Sequence, residues 1–325
     1  MISRVAEHCF WMSRYLERAE NTARILDVNQ TLLLDFQVPL EQQWRPLLII
    51  CGVNDMPGKP EAEAVQHFMT WEPANLSSIV ASVAGARENA RIIREVISAE
   101  MWERLNYYHL WMQGLQARAL YESSRSEFYN QIKRINQLLH GIAGGTMAHG
   151  EAWEFYQLGR YLERASQTAR ILDVKYHILL PTPDQVGTPV DQAHWVAILT
   201  SCSGYEPFHK KMRSPADMGV AVADFLILEP QFPRSVCHCL NECRSAASAI
   251  AGQNGSEVEV QFADLANWLT KSDITEIIRN GLHESLTTVV NRIHEIGELI
   301  HRTYFDVSMQ SPPLKRAVGQ SQSQS

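Results

Sequence analysis

The chain is 325 residues long, with 45% hydrophobic and 20% charged residues. That globular balance leaves ample apolar side chain for a core and excludes a small stapled scaffold. A formal net charge of −7 and a pI near 6.0 exclude a general nucleic-acid binder, whose electrostatic footprint is basic.

The first residues, MISRVAEHCFWMSRYLER, scatter Arg4, Glu7 and Arg14 among apolar positions, so they are not read as a signal peptide. They open an amphipathic helix over 3–34 that ends before Pro39. Cys9, Met12, Tyr15, Leu16, Ala19, Ala23 and Leu26 gather on its apolar face. Arg14, Glu17, Arg18, Asn21 and Arg24 lie on the other side. The longest apolar runs, such as LLII at 47–50, are far too short to span a membrane. In EPANLSSIV, Asn75 is the expected N-cap of the next helix. Residues 76–143 read as two or three further long helices, with Trp102, Tyr107, Tyr108 and Trp111 as core or helix-interface aromatics. The glycines of GIAGGTMAHG at 141–150 mark a turn between halves rather than a phosphate loop, because no strand precedes them.

A second long helix is expected over 150–179, stopping at PTP, followed by helices near 190–203, 216–227, 234–252, 256–270, 273–281 and 283–305. In EPQFPRSVC, Phe232 takes the place of Asn75, and Pro233 stands at the first helical position. The Pro-, Ser- and Gln-rich end, 308–325, reads as a disordered tail. Strand alternation is not evident, so the fold class is all-α.

The two long helices carry nearly one sentence. RYLERAENTARILDV at 14–28 and RYLERASQTARILDV at 160–174 agree at 13 of 15 positions. Trp44 and Cys51 match Trp195 and Cys202; Phe68, Glu72, Pro73 and Arg87 match Phe225, Glu229, Pro230 and Arg244. The offset drifts from 146 to 151 to 157, as expected when loops lengthen and helices keep their faces. The expected architecture is a helical bundle of two pseudo-symmetric halves, 1–147 and 148–307.

Both copies retain Arg14/Arg160, Glu17/Glu163, Arg18/Arg164, Arg24/Arg170 and Asp27/Asp173, and differ at Glu20/Ser166 and Asn21/Gln167. Retained charges at three- and four-residue spacing point to specified partners. Glu17 is the internal candidate to sit between Arg14 and Arg18. Three readings stay open: a buried ion network docking the halves, a surface for a partner or anionic ligand, and catalysis. A second cationic stripe, Arg87, Arg91 and Arg94, keeps only its first member in the other half, at Arg244. Guanidinium groups suit carboxylate or phosphate.

Cys237, His238, Cys239 and Cys243 lack a second metal-ligand dyad and read as buried small residues. The acid-x-x-His pairs Glu298–His301, Glu206–His209 and Asp191–His194 barely exceed chance, so neither di-iron nor any other metal or cofactor is expected. Six cysteines without a secretion signal read as reduced thiols of a cytoplasmic protein. G-x-S-x-G, Walker A, dinucleotide and H-E-x-x-H motifs are all missing, which weakens an enzyme reading.

The ordered series HCFWMSRYLERAENTARILDV, ARENARIIREVISAEMWERLN and YQLGRYLERASQTARILDV resembles the bacterial alpha-E domain family. That family is helical and named for its Glu-Arg motif, here Glu17-Arg18 and Glu163-Arg164; the resemblance covers about residues 1–305. It implies a setting beside a circularly permuted ATP-grasp amidoligase similar to glutathionylspermidine synthase, with a transglutaminase-like peptidase in the same pathway. It supplies no catalytic residue to carry over. The expectation is a non-catalytic partner of a separate amidoligase chain, holding substrate or regulating amide-bond formation through the arginines and glutamates above. Two alternatives remain. One is an enzyme with Glu17 or Glu163 as general base, its pKa raised in a closed pocket. The other is a purely structural homodimer.

Overall fold

The computed structural model describes residues 3–33, 40–53, 56–178, 188–212, 215, 217–251 and 256–306. Pro39, the PTP stop at 181–183 and the tail at 308–325 lie outside them. The described residues form helices without strands. In chain order the first seven are α1 (Ser3–Leu33), α2 (Leu40–Ile50), α3 (Ala62–Trp71), α4 (Ile79–Ile92), α5 (Ala99–Gln113), α6 (Leu115–Ser123) and α7 (Arg125–Thr146). Then come α8 (Glu151–Ile178), α9 (Pro189–Ser201), α10 (Tyr205–Lys211), α11 (Met218–Leu228), α12 (Val236–Ala251), α13 (Glu257–Lys271), α14 (Ile274–Arg279) and α15 (Leu282–Ile300), closed by a π-turn at His301–Phe305. None of these helices is long and apolar enough to cross a membrane.

Helices α1 and α8 lie against each other at the centre. Around α1 pack α4 and α7; around α8 pack α12 and α15. The connection crosses over: α2 lies mainly on α8, and α9 mainly on α1. The predicted apolar face of α1 is buried at Cys9, Met12, Leu16, Ala19, Ala23 and Leu26. Each large apolar side chain so buried contributes about 1.5–3 kcal/mol. The opposite face of α1 is not solvated either: Ser13, Glu17, Glu20, Asn21, Thr22 and Arg24 are buried as well. An amphipathic pattern therefore marks two kinds of interior contact here, one apolar and one ionic.

Close approach of the central pair depends on Gly159 of α8. A Cβ there would collide with the Phe10 carbonyl oxygen and Ser13 Oγ and stand 3.0 Å from the Phe10 carbonyl carbon. Ser13 is the residue aligned with Gly159 in the first copy, so the two repeat segments touch at equivalent positions.

Several expected boundaries shift for local reasons. Ser78, not Asn75, caps α4, its Oγ accepting from the Ala81 amide at 3.2 Å. Asn75 instead accepts from the Ser77 amide at 3.0 Å in the preceding turn. Ser235 plays the same part for α12, accepting from the His238 amide at 3.1 Å, so Pro233 precedes the helix. The stretch 76–143 holds four helices rather than two or three, because Ser98 starts α5 and Ser124 interrupts before α7. Glycines 141, 144 and 145 lie inside α7, which runs to Thr146; the turn is confined to 147–150. Helices α2, α3 and α10 went unpredicted.

Of the four aromatics assigned to packing, Tyr108 is fully buried and Trp111 stacks on Phe128 at 5.6 Å, while Tyr107 is 50% exposed.

Candidate functional site

The retained charges meet across the central helix pair. Arg164 of α8 donates from Nε and Nη2 to the two oxygens of Glu17 on α1, each at 2.8 Å. Arg18 of α1 returns the same grip on Glu163 of α8, at 2.7 and 3.1 Å. Arg14 joins Glu163 at 2.8 Å, and Arg160 stands 3.9 Å from Glu17. The expected placement of Glu17 between Arg14 and Arg18 on its own helix is therefore corrected: each glutamate is held by the arginines of the opposite copy. Bidentate geometry across helices satisfies both carboxylate oxygens, which neighbours on one helix face cannot do as well.

Burial opposes both carboxylates, and the arginines outweigh it. Glu17 is held well below the ordinary carboxylate range by Arg164 and Arg234 against full burial. Glu163 is held at about 2 by Arg18 and Arg14 against the same cost. Neither has the raised pKa that a general base in a closed pocket needs. Asp27 and Asp173 are paired too, with Lys133 of α7 and His283 of α15, both at 2.7 Å.

One side of this seam departs from the other. Arg234, just before α12, donates to Glu17 at 2.9 Å, to Asn21 at 2.8 Å and to Glu20 at 2.8 Å. Arg24 pairs with Glu20. His140 of α7 shares a 2.6 Å hydrogen bond with Tyr156 Oη and lies 3.6 Å from Glu17. Burial first, then Arg160, pushes the His140 pKa well below its usual value, so the ring is neutral. Glu20, Arg24, His140, Arg160, Arg164 and Arg234 line a cavity of about 710 Å³ together with Gln137, Ser203, Pro207, Gln231 and Phe232. Among the site's residues, sequence reasoning missed Arg234, His140 and Ser203. A signal existed for Arg234: at the 157-residue offset it aligns with Ser77, just as Glu20 aligns with Ser166. The two positions that gain charge are bonded to each other.

Arg170, the repeat partner of Arg24, lies away from that cavity beside a smaller cleft, its Nε 3.4 Å from Ser166 Oγ. The stripe of Arg87, Arg91 and Arg94 is a separate surface. Arg87 and Arg91 share Glu88. Helix α4 ends at Ile92, so Arg94 lies in the following turn and not on the helix stripe. Arg87 and Arg94 nevertheless converge on the Trp102 ring, at 5.5 and 4.9 Å from its centroid.

Ligand atoms of Glu17, Glu20 and His140 lie within 4.8 Å of one another. As a cation site this set fits poorly. Both carboxylates already accept from guanidinium groups, and four arginines ring the space. Cys237, Cys239 and Cys243 are buried, with burial pushing the Cys239 thiol to about 12.

The fold and this seam define an all-helical protein organised around two Glu-Arg motifs. The chain belongs to the alpha-E family, described as a predicted alpha-helical domain with a conserved ER motif, whose model matches residues 1–305. It is 25% identical over 322 residues to the uncharacterized proteins Rv2567 of Mycobacterium tuberculosis and Mb2597 of Mycobacterium bovis. Those matches cover 90% of this chain and 35% of each relative, so the chain spans about a third of their length. No solved structure matches it.

Proposed function

We propose that this protein is a non-catalytic helical partner of an ATP-grasp amidoligase on a separate chain, holding substrate or regulating peptide or amide bond formation in the cytoplasm. The observation that carries the non-catalytic part is the crossed clasp: Glu17 and Glu163 are both fully engaged by arginines and kept ionised, leaving neither free to take a proton from an amine. The ligase setting rests on the family resemblance. Six free cysteines support a reducing compartment. The matched surroundings of α1 and α8 support an ancestral duplication whose halves dock about a pseudo-twofold axis.

The partner-facing surface in this reading is the arginine–tryptophan patch. Tyr107 and Leu110 of α5, 50% and 57% exposed, continue it, and Arg104 covers Tyr107 at 5.8 Å. Arginine beside aromatic rings is the composition of interface centres. The test is copurification from the native host with the chain tagged, under gentle salt. Recovery of an ATP-grasp ligase is expected, and its loss in Arg91→Glu is expected with it. A tagged chain that brings down no ligase, or that joins amine and acid with ATP unaided, overturns the reading.

A further inference from the structure

We propose that the cavity between α1, α7, α8 and the segment before α12 binds a doubly charged oxyanion, a phosphate monoester or a dicarboxylate, through Arg24, Arg160, Arg164 and Arg234. The inference stands without any ligase partner.

Charge is the first argument. Four guanidinium groups line the space, while the facing carboxylates are two, Glu20 on the wall and Glu17 behind it. His140 is neutral, so two positive charges remain uncompensated in a half-enclosed site. Burial and the neighbouring Arg234 already strain the charge on Arg24. Like charges gathered away from water repel one another unless an anion joins them.

Unmade hydrogen bonds are the second. His140 Nε2 and Arg24 Nε are buried without a hydrogen bond, in residues only 7% and 8% exposed, the former 3.6 Å from Glu17 Oε2. Arg160 Nε is buried and makes no hydrogen bond either, standing 3.9 Å from Glu17 Oε2. Buried polar atoms of this kind normally have a partner, and groups that lack one call for an explanation. An oxyanion drawn in among the guanidinium groups supplies the acceptor that Arg24 Nε lacks, the other two nitrogens being turned toward Glu17.

Shape and strain are the third. At about 710 Å³ the cavity is within the range of small-molecule sites and too large for a bare phosphate. Pro207, Phe232 and Pro233 give it an apolar wall for the organic part of a ligand. Ser203, also on the wall, is held at φ 53°, the one non-glycine residue in the left-handed region among those described. Its repeat counterpart, Gly52, has φ 70° and needs no side chain. Both residues follow a helix end, where the left-handed conformation closes the last turn, and Ser203 keeps a hydroxyl at a position that favours glycine. The cleft beside Arg14 and Arg170 is smaller, about 200 Å³, and has two arginines where the cavity has four.

The test uses the purified full chain with three probes: inorganic phosphate, phenyl phosphate and glutarate, each against sodium chloride of equal ionic strength. Saturable heat in calorimetric titration and a raised Tm are expected from at least one. Binding of the phosphates alone identifies a phosphate ligand, binding of glutarate alone a dicarboxylate, and binding of both a site for the oxyanion group itself. Arg160→Gln is expected to weaken binding by about tenfold or more. Ser203→Gly, which relaxes the backbone, is expected to weaken it while raising the Tm of the unliganded chain, and serves if Arg160→Gln fails to fold. Absence of saturable binding by all three probes overturns the proposal. So does unchanged affinity in a folded Arg160→Gln, or in Ser203→Gly where Arg160→Gln does not fold.

Discussion

Glu17 and Arg164 face each other from the two repeat helices with both oxygens and two guanidinium nitrogens engaged at 2.8 Å. Glu163 and Arg18 repeat the arrangement in reverse, but the two clasps are not equally deep. Arg164 and Arg234, which hold Glu17, have side chains 5% and 11% exposed, whereas Arg14 and Arg18, which hold Glu163, are each 18% exposed. Removing a carboxylate strands its arginines, and the cost follows how far they are from water. Glu17→Gln is expected to lower unfolding free energy by about 3–5 kcal/mol. Glu163→Gln should cost less, since its arginines can turn toward solvent. Denaturant titration of the two variants decides it; equal losses would mean that depth does not matter here.

Acid should lower the stability of the fold over two pH ranges. His140 is neutral in the fold with a pKa well below its usual value, so below about pH 6.5 the unfolded chain takes up a proton that the folded one does not. Stability falls there. Glu163 is shifted from 4.5 to about 2, so its contribution is complete above pH 4.5 and disappears as pH falls toward 2. The Glu163 part amounts to about 3 kcal/mol, and Glu17 moves in the same direction. Denaturant midpoints measured from pH 8 to pH 2 should show both declines. His140→Gln should erase the upper one and leave the lower.

The helices and the duplicated motif could be read from the chain because they rest on local periodicity and on identity between copies. The partner exchange could not. Helical spacing allows Glu17 to meet Arg14 and Arg18, and only the packing of α1 on α8 decides that it meets Arg164 instead. Cap positions failed for a related reason. Asn75 and Ser78 are both competent caps, and the choice depends on which turn the chain takes after α3. The cavity was hidden because His140, Ser203 and Arg234 lie on three separate elements, each ordinary by itself.

The cysteines should be inert in the folded state. Burial raises the thiols of Cys9, Cys51, Cys202 and Cys239 to about 12, and it also pushes up Cys243 and Cys237. The thiolate is the reactive species. At pH 8 an aromatic disulfide reagent should titrate all six in denaturant and react slowly with the native protein. A fast-reacting native thiol would contradict the buried, structural assignment.

The surface arginines should separate stability from association. Arg91 is 55% exposed and pairs with an equally exposed Glu88, so the pair is worth little in water. Arg91→Ala is expected to change unfolding free energy by less than about 0.5 kcal/mol. If the patch with Trp102 is where a ligase docks, the same variant should reduce ligase recovery. Full recovery with Arg91→Ala and with Arg94→Ala would move the docking surface elsewhere.

Gly159 is the tightest constraint in the centre of the fold. Its missing Cβ lets the Phe10 backbone and Ser13 Oγ approach α8, and both elements are long helices with little freedom to yield. In an isolated helix alanine is favoured over glycine by about 1 kcal/mol, so local propensity predicts that Gly159→Ala stabilises. Overpacking acts the other way, and a methyl group driven into a backbone carbonyl costs about 1–3 kcal/mol or more. The collision is with backbone rather than a side-chain tip, so the second effect should win. Separation of the helices would also lengthen the crossed Arg–Glu clasps, which depend on the same spacing. Gly159→Ala is therefore expected to lower the denaturant midpoint by more than Gly145→Ala, where a Cβ meets nothing. A Gly159→Ala protein as stable as the parent would show that α1 and α8 do not meet at this point.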